Sequence, residues 1–97
     1  MANWILTAGG DSPTVLRLPK GAVKTIGRAA QADFILDAPL VSRVHCRLTA
    51  DASAQLVVED LESQNGTFVN GRKIDRATLK AGDRLTVGRV EFTVETA

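Results

Sequence analysis

The sequence predicts an all-β fold, a sandwich or a barrel of about ten short strands. Three observations carry that prediction. Apolar residues recur with a period of two, and 3.6-residue stripes are hard to find. Turn-forming residues separate the apolar runs. The 97 residues are 44% apolar, enough for one packed core and too many for a disordered chain. The chain shows no internal repeat, low-complexity tract or linker, so residues 1–97 are expected to form a single domain.

The strand candidates follow in order. WILT at 4–7 and TVLRL at 14–18 flank the turn residues GGDSP at 9–13. PKG at 19–21 then leads into AVKTI at 22–26, and FIL follows at 34–36. HCRLT at 45–49 and QLVVE at 55–59 form the middle of the chain. TFV at 67–69 sits between two Asn-Gly pairs, at 65–66 and 70–71. RLTV at 84–87 follows AGD at 81–83, and VEFTV at 90–94 closes the series. In VEFTV, Val90, Phe92 and Val94 share one face, while Glu91 and Thr93 share the other. Ala29–Ala32 and Ala50–Ala54 are too short to hold a helix alone and read as loops. Trp4, Phe34, Phe68 and Phe92 are the expected large core residues.

Charge and composition exclude several roles. A net charge of +1 argues against a broad nucleic-acid face or a polybasic membrane anchor, but allows a local cationic pocket. The only cysteine, Cys46, cannot form an internal disulfide. No run suits a signal peptide or a membrane-spanning helix, so a cytoplasmic domain is expected.

Residues 40–47, LVSRVHCR, concentrate the reactive side chains. They hold the only histidine, His45, beside Cys46, Ser42, Arg43 and Arg47. A serine hydrolase built on Ser42 and His45 needs both on one side. Their odd spacing would send them to opposite faces of an extended segment, and the adjacent His45 and Cys46 would also diverge. No G-x-S-x-G elbow is present. One histidine and one cysteine make a poor metal set. The sequence therefore points to no catalytic residue, no metal and no cofactor.

A binding role uses more of these residues. Polar islands at 25–31, 40–45 and 60–71 lie between strands. Arg28 can fork onto two phosphate oxygens. Ser42 offers a hydroxyl, and Arg43 a second cation. Asn65 offers a donor and an acceptor to an extended peptide backbone. Glycines at 27, 66 and 71 permit a positive φ or close backbone approach.

The ordered set Gly27-Arg28, Ser42-Arg43-Val44-His45, Asp60 to Gly71 (DLESQNGTFVNG), Leu79 to Leu85 (LKAGDRL) and Val87-Gly88 resembles the forkhead-associated (FHA) domains. The likeness covers residues 4 to 95. It implies a β-sandwich of about eleven short strands in two twisted sheets, with ligand loops at one end. It implies a non-catalytic module that binds a phosphothreonine-containing protein or peptide, with a kinase upstream. Neither nucleic acid nor membrane is an implied partner, and oligomeric state stays open. The expected location is cytoplasmic, or nuclear in a eukaryote. Carried over by residue, Arg28 and Ser42 contact the phosphate, and Asn65 the peptide backbone. His45 braces the loops, while Gly27, Gly66 and Asn70 shape them. Gln64 departs from the pattern, because a short hydroxyl residue or a lysine often stands there. Its amide can still donate. Two other readings are a phosphate-independent interaction module and the Ser42/His45 hydrolase.

Overall fold

The structure is a computed structural model and describes residues 3–9, 13–51, 53 and 55–96. Gly10, Asp11 and Ser12 of the GGDSP turn, with Ala52 and Ala54 of the second alanine-bearing loop, lie outside the described residues.

The described residues form eleven strands and no helix. They are β1 (Trp4–Ala8), β2 (Thr14–Leu18), β3 (Val23–Gly27), β4 (Phe34–Ile35), β5 (Cys46–Ala50), β6 (Leu56–Asp60), β7 (Thr67–Val69), β8 (Arg72–Ile74), β9 (Arg76–Leu79), β10 (Arg84–Val87) and β11 (Val90–Thr96). One sheet has the order β2-β1-β11-β10-β7-β8, the other β4-β3-β5-β6-β9. All pairings are antiparallel except the short parallel contact of β3 with β4.

The period of two fixes which side chains meet between the sheets. Leu6, Leu16, Leu18, Leu85, Val87, Phe92 and Val94 project from one sheet, and Ile26, Cys46, Leu48, Leu56, Val58 and Leu79 from the other. Burying each of the larger ones contributes about 1.5–3 kcal/mol. On the outer face of the second sheet, Arg47 and Glu59 stand directly opposite and pair at 3.1 Å. Such partly exposed pairs contribute about 0.2–1 kcal/mol.

Three details differ from the sequence reading. Strands β8 and β9 were not among the apolar runs. They pair with one neighbour each, at the sheet edges, and carry Arg72, Lys73 and Arg76 towards solvent. Phe68 lies outside the core cluster, because Thr67 and Val69 on either side of it face inward. The third is at 42–45, which is no strand; β5 begins only at Cys46. The argument that Ser42 and His45 point apart assumed an extended segment and does not hold there.

The pairing also sets two ends. Thr67 pairs with Val87, and Val69 with Leu85. The Gly66 and Gly88 turns therefore share one end of β7 and β10. The turn at Asn70 and the turn before Arg84 share the other.

Candidate functional site

The loops after β3, before β5 and between β6 and β7 meet at the Gly66 end. Backbone bonds zip the first two together. The Arg28 amide donates to the Ser42 carbonyl at 3.0 Å, Ala29 to Arg43 at 3.1 Å, and His45 to Ile26 at 2.8 Å. Gly27 permits this approach. A Cβ there would overlap the Arg43 carbonyl oxygen and stand 2.9 Å from the Val44 Cα. Its role is close packing of main chain on main chain, not a left-handed φ.

His45 is fully buried and joins the second loop to the third. Its Nδ1 accepts from the Ser42 amide at 3.0 Å. Its Nε2 faces the Gly66 carbonyl at 2.8 Å and must donate to it. Both ring nitrogens are thus engaged with backbone, and neither reaches the Ser42 hydroxyl as a base. Burial, then the Asp60 carboxylate, push the Cys46 thiol up to about 12 against a weaker lowering by Thr67. That thiol stays protonated, so it is not an activated nucleophile.

Asp60 shapes the third loop. Its Oδ1 accepts from the Ser63 hydroxyl at 2.5 Å and the Thr67 hydroxyl at 2.7 Å. Its Oδ2 accepts from the Ser63 amide at 3.2 Å, and the Ser63 Oγ accepts from the Gly66 amide at 2.9 Å. Burial pushes the Asp60 carboxyl up, but the hydrogen bonds from Ser63 and Thr67 outweigh it and hold it below the ordinary aspartate value. Gly66 has φ +90°, which explains its glycine. A Cβ there would face the Lys73 stem and the Phe68 ring rather than the groove.

Between the loops lies an open groove of about 790 Å³. Arg28, Ser42, Arg43, Gln64 and Asn65 all line it. The Arg28 Nε donates to the Val41 carbonyl at 3.1 Å, which aims the guanidinium. Its two terminal nitrogens take no hydrogen bond among the described residues. The Ser42 Oγ accepts from the Gln64 amide at 2.9 Å and keeps its own hydrogen to donate. The Asn65 Nδ2 donates to the Leu40 carbonyl at 3.1 Å, leaving Oδ1 to accept. Arg43 is exposed on the rim. The arrangement offers an anion two guanidinium groups and a hydroxyl, with an amide oxygen nearby for a backbone N–H.

Asn70 lies elsewhere, at the opposite end of β7. It has φ +51°, its Oδ1 accepts from the Arg84 amide at 2.9 Å, and its Nδ2 donates to Asp83 at 3.1 Å. It shapes the β7–β8 turn.

The sequence reading gave no role to Val44 or Glu62, which also line the groove. It also missed the support given by Asp60, Ser63 and Thr67. Their one trace was three hydroxyl or carboxylate residues within the polar 60–71 island. Gly88, with φ +63°, was part of the motif set but was given no role. A Cβ there would crowd Val41, Pro39 and Leu40, so the β10–β11 turn backs the second loop.

Residues 24–88 match the family model described as FHA domain. The ABC transporter ATP-binding/permease protein Rv1747 of Mycobacterium tuberculosis is 42% identical over 75 residues. That match takes in 77% of this chain but only 8% of the transporter's length. Among solved structures, the FhaA FHA domain complexed with the intracellular domain of Rv3910 superposes with a TM-score of 0.86 at 32% identity. It covers 95% of this chain and 99% of that one. Mycobacterium tuberculosis EmbR in complex with a low affinity phosphopeptide gives 0.82 at 31% identity, over 99% of this chain and 25% of that one.

Proposed function

We propose that this chain, which belongs to the FHA-domain family, is a phosphothreonine-dependent binding module that carries out no catalysis. One observation carries this reading. Arg28, Ser42 and Asn65 are each fixed by one internal hydrogen bond and each keep a second polar group for a ligand in one groove. In this reading Arg28 and Ser42 take the phosphate, with Arg43 and Gln64 beside them. Asn65 holds the peptide backbone next to the phosphothreonine. Gly27, His45 and Gly66 support the loops. The partner is a phosphothreonine-containing protein or peptide made by a kinase, and residues 1–97 act as one unit in the cytoplasm. No helix among the described residues is long and apolar enough to cross a membrane.

The engagement of both His45 nitrogens supports the non-catalytic reading. A Ser42/His45 hydrolase would need that histidine to release a backbone partner first.

Calorimetric titration with three matched peptides tests the proposal: phosphothreonine, phosphoserine and unmodified threonine at one position. Phosphothreonine should bind best. Its extra methyl group is worth about 0.8 kcal/mol from transfer alone and about 1–3 kcal/mol in a close-fitting slot. Equal affinity for phosphoserine would show that the site reads phosphate alone. Equal affinity for unmodified threonine would replace this reading with a phosphate-independent interaction module.

A further inference from the structure

We propose that Glu62 selects a basic residue beside the phosphothreonine; this deepens the reading above and rests on it. Among the described residues, three charged side chains line the groove: Arg28, Arg43 and Glu62. A phosphate carries about −1.5 to −2 charges near neutral pH, which suits the two guanidinium groups. A carboxylate repels that phosphate, so Glu62 has nothing to offer the phosphothreonine itself. Its natural counterpart is a cation on a neighbouring residue of the peptide.

The local backbone holds Glu62 in place. It has φ +56°, a left-handed conformation that non-glycine residues seldom adopt. Both flanks are tied down. The Leu61 amide donates to the His45 carbonyl at 3.0 Å, and Ser63 is bonded through its amide and hydroxyl to Asp60. Two residues further on, the Gln64 amide is fixed to Ser42. Glu62 therefore stands on a braced loop rather than a loose one. Among the described residues its carboxylate has neither an ion pair nor a hydrogen bond, so its charge remains available to a ligand. An extended peptide advances about 3.3 Å per residue, which brings residues flanking the phosphothreonine past this rim.

The test is a charge scan. A phosphothreonine peptide with alanine at its flanking positions serves as the parent. Each flank is replaced in turn by Lys or by Glu. All peptides are titrated against the wild-type protein and against Glu62→Gln and Glu62→Lys. With the wild type, one flanking position should favour Lys over Glu by about threefold to tenfold, the size expected of a solvent-facing pair. The preference should shrink when salt is raised. It should flatten in Glu62→Gln and invert in Glu62→Lys. A parent that binds, with no Lys preference in the wild type or with the same preference in all three proteins, overturns the role of Glu62 alone. A parent that fails to bind the wild type overturns the phosphothreonine reading and this inference with it.

Discussion

The two ends of β7 and β10 are built from similar parts and do different things. At the Asn70 end, side chains pin one turn to another and use up their polar atoms doing so. Asn70 spends its oxygen on Arg84 and its nitrogen on Asp83, and Asp83 in turn accepts from the Lys80 amide at 2.8 Å. At the Gly66 end, the side chains of Arg28, Ser42 and Asn65 are each pinned by one hydrogen bond, and the rest of their hydrogen-bonding capacity stays open. A closed network holds shape. A half-open network holds shape and presents groups already aimed, so less ordering is lost when a ligand arrives. Backbone strain follows the same division. Leu40 and Glu62, two of the three non-glycine residues with positive φ among the described residues, line the groove. The third, Asn70, is of a type that tolerates that region well.

The largest expected effect comes from breaking the half-open end at Arg28. Arg28→Ala removes the guanidinium proposed to take the phosphate and should weaken phosphothreonine-peptide binding by about 2–5 kcal/mol. The fold should persist, since the Arg28 side chain is exposed and makes one hydrogen bond, to Val41. Arg28→Lys should restore only part, because an ammonium cannot fork and cannot reproduce the Nε bond. Calorimetry on the folded variant decides this. Unchanged affinity in Arg28→Ala would mean that the open nitrogens are solvated surface and not a site.

Much of this contrast was legible in the sequence. Period-two runs located nine strands within a residue or two, because most are flanked by core on one face and solvent on the other. Strands β8 and β9 escaped because they are only three and four residues long and carry Arg72, Lys73 and Arg76 in place of a clear apolar alternation. The ordered motifs picked out Arg28, Ser42, Arg43, Gln64 and Asn65, and all five line one groove. What could not be read was the wiring between loops. His45 was expected as a brace, yet no spacing rule reveals that its two nitrogens reach Ser42 and Gly66. The crowding of Gly88 against Val41 and Pro39 depends likewise on how distant segments pack. Asn70 was grouped with the loop-shaping residues, although its place between TFV and RKI also read as a simple turn; the strand register puts that turn at the other end.

The second prediction uses that separation. Asn70→Ala removes the side chain that bridges Arg84 and Asp83 and places alanine at φ +51°. The cost in stability should be about 1–2 kcal/mol, from the lost hydrogen bonds and the unfavourable backbone region. Urea unfolding would measure it. Peptide affinity of the folded variant should change less than about twofold, within the additivity expected of well-separated sites. A loss of affinity matching that of Arg28→Ala would show the two ends to be coupled, and the division drawn between them would fail.

The smallest effect concerns the carboxylate beneath the groove. Asp60 accepts from Ser63 and Thr67, and the balance of burial against these bonds leaves its carboxyl below the ordinary aspartate value. A group whose pKa is depressed by folding stabilises the native state above its unfolded value and loses that contribution as pH falls through the folded one. The contribution of Asp60 should therefore be complete above about pH 5 and drain away on further acidification. Asp33 and Asp51 are also held low, the first chiefly by the Thr25 amide and the second by the Gln55 amide. Acid unfolding of the wild type sums all three, so the comparison must isolate one. Asp60→Asn does so. It cannot ionise, and its amide nitrogen would oppose the donors of Ser63 or Thr67. It should be less stable than the wild type near neutrality. The gap between their urea midpoints should close as pH is lowered from about 5 towards about 2. A gap that stays constant across that range would mean that shape rather than charge at Asp60 holds the third loop. The support under the half-open groove would then be no different in kind from the amide-built turn at Asn70.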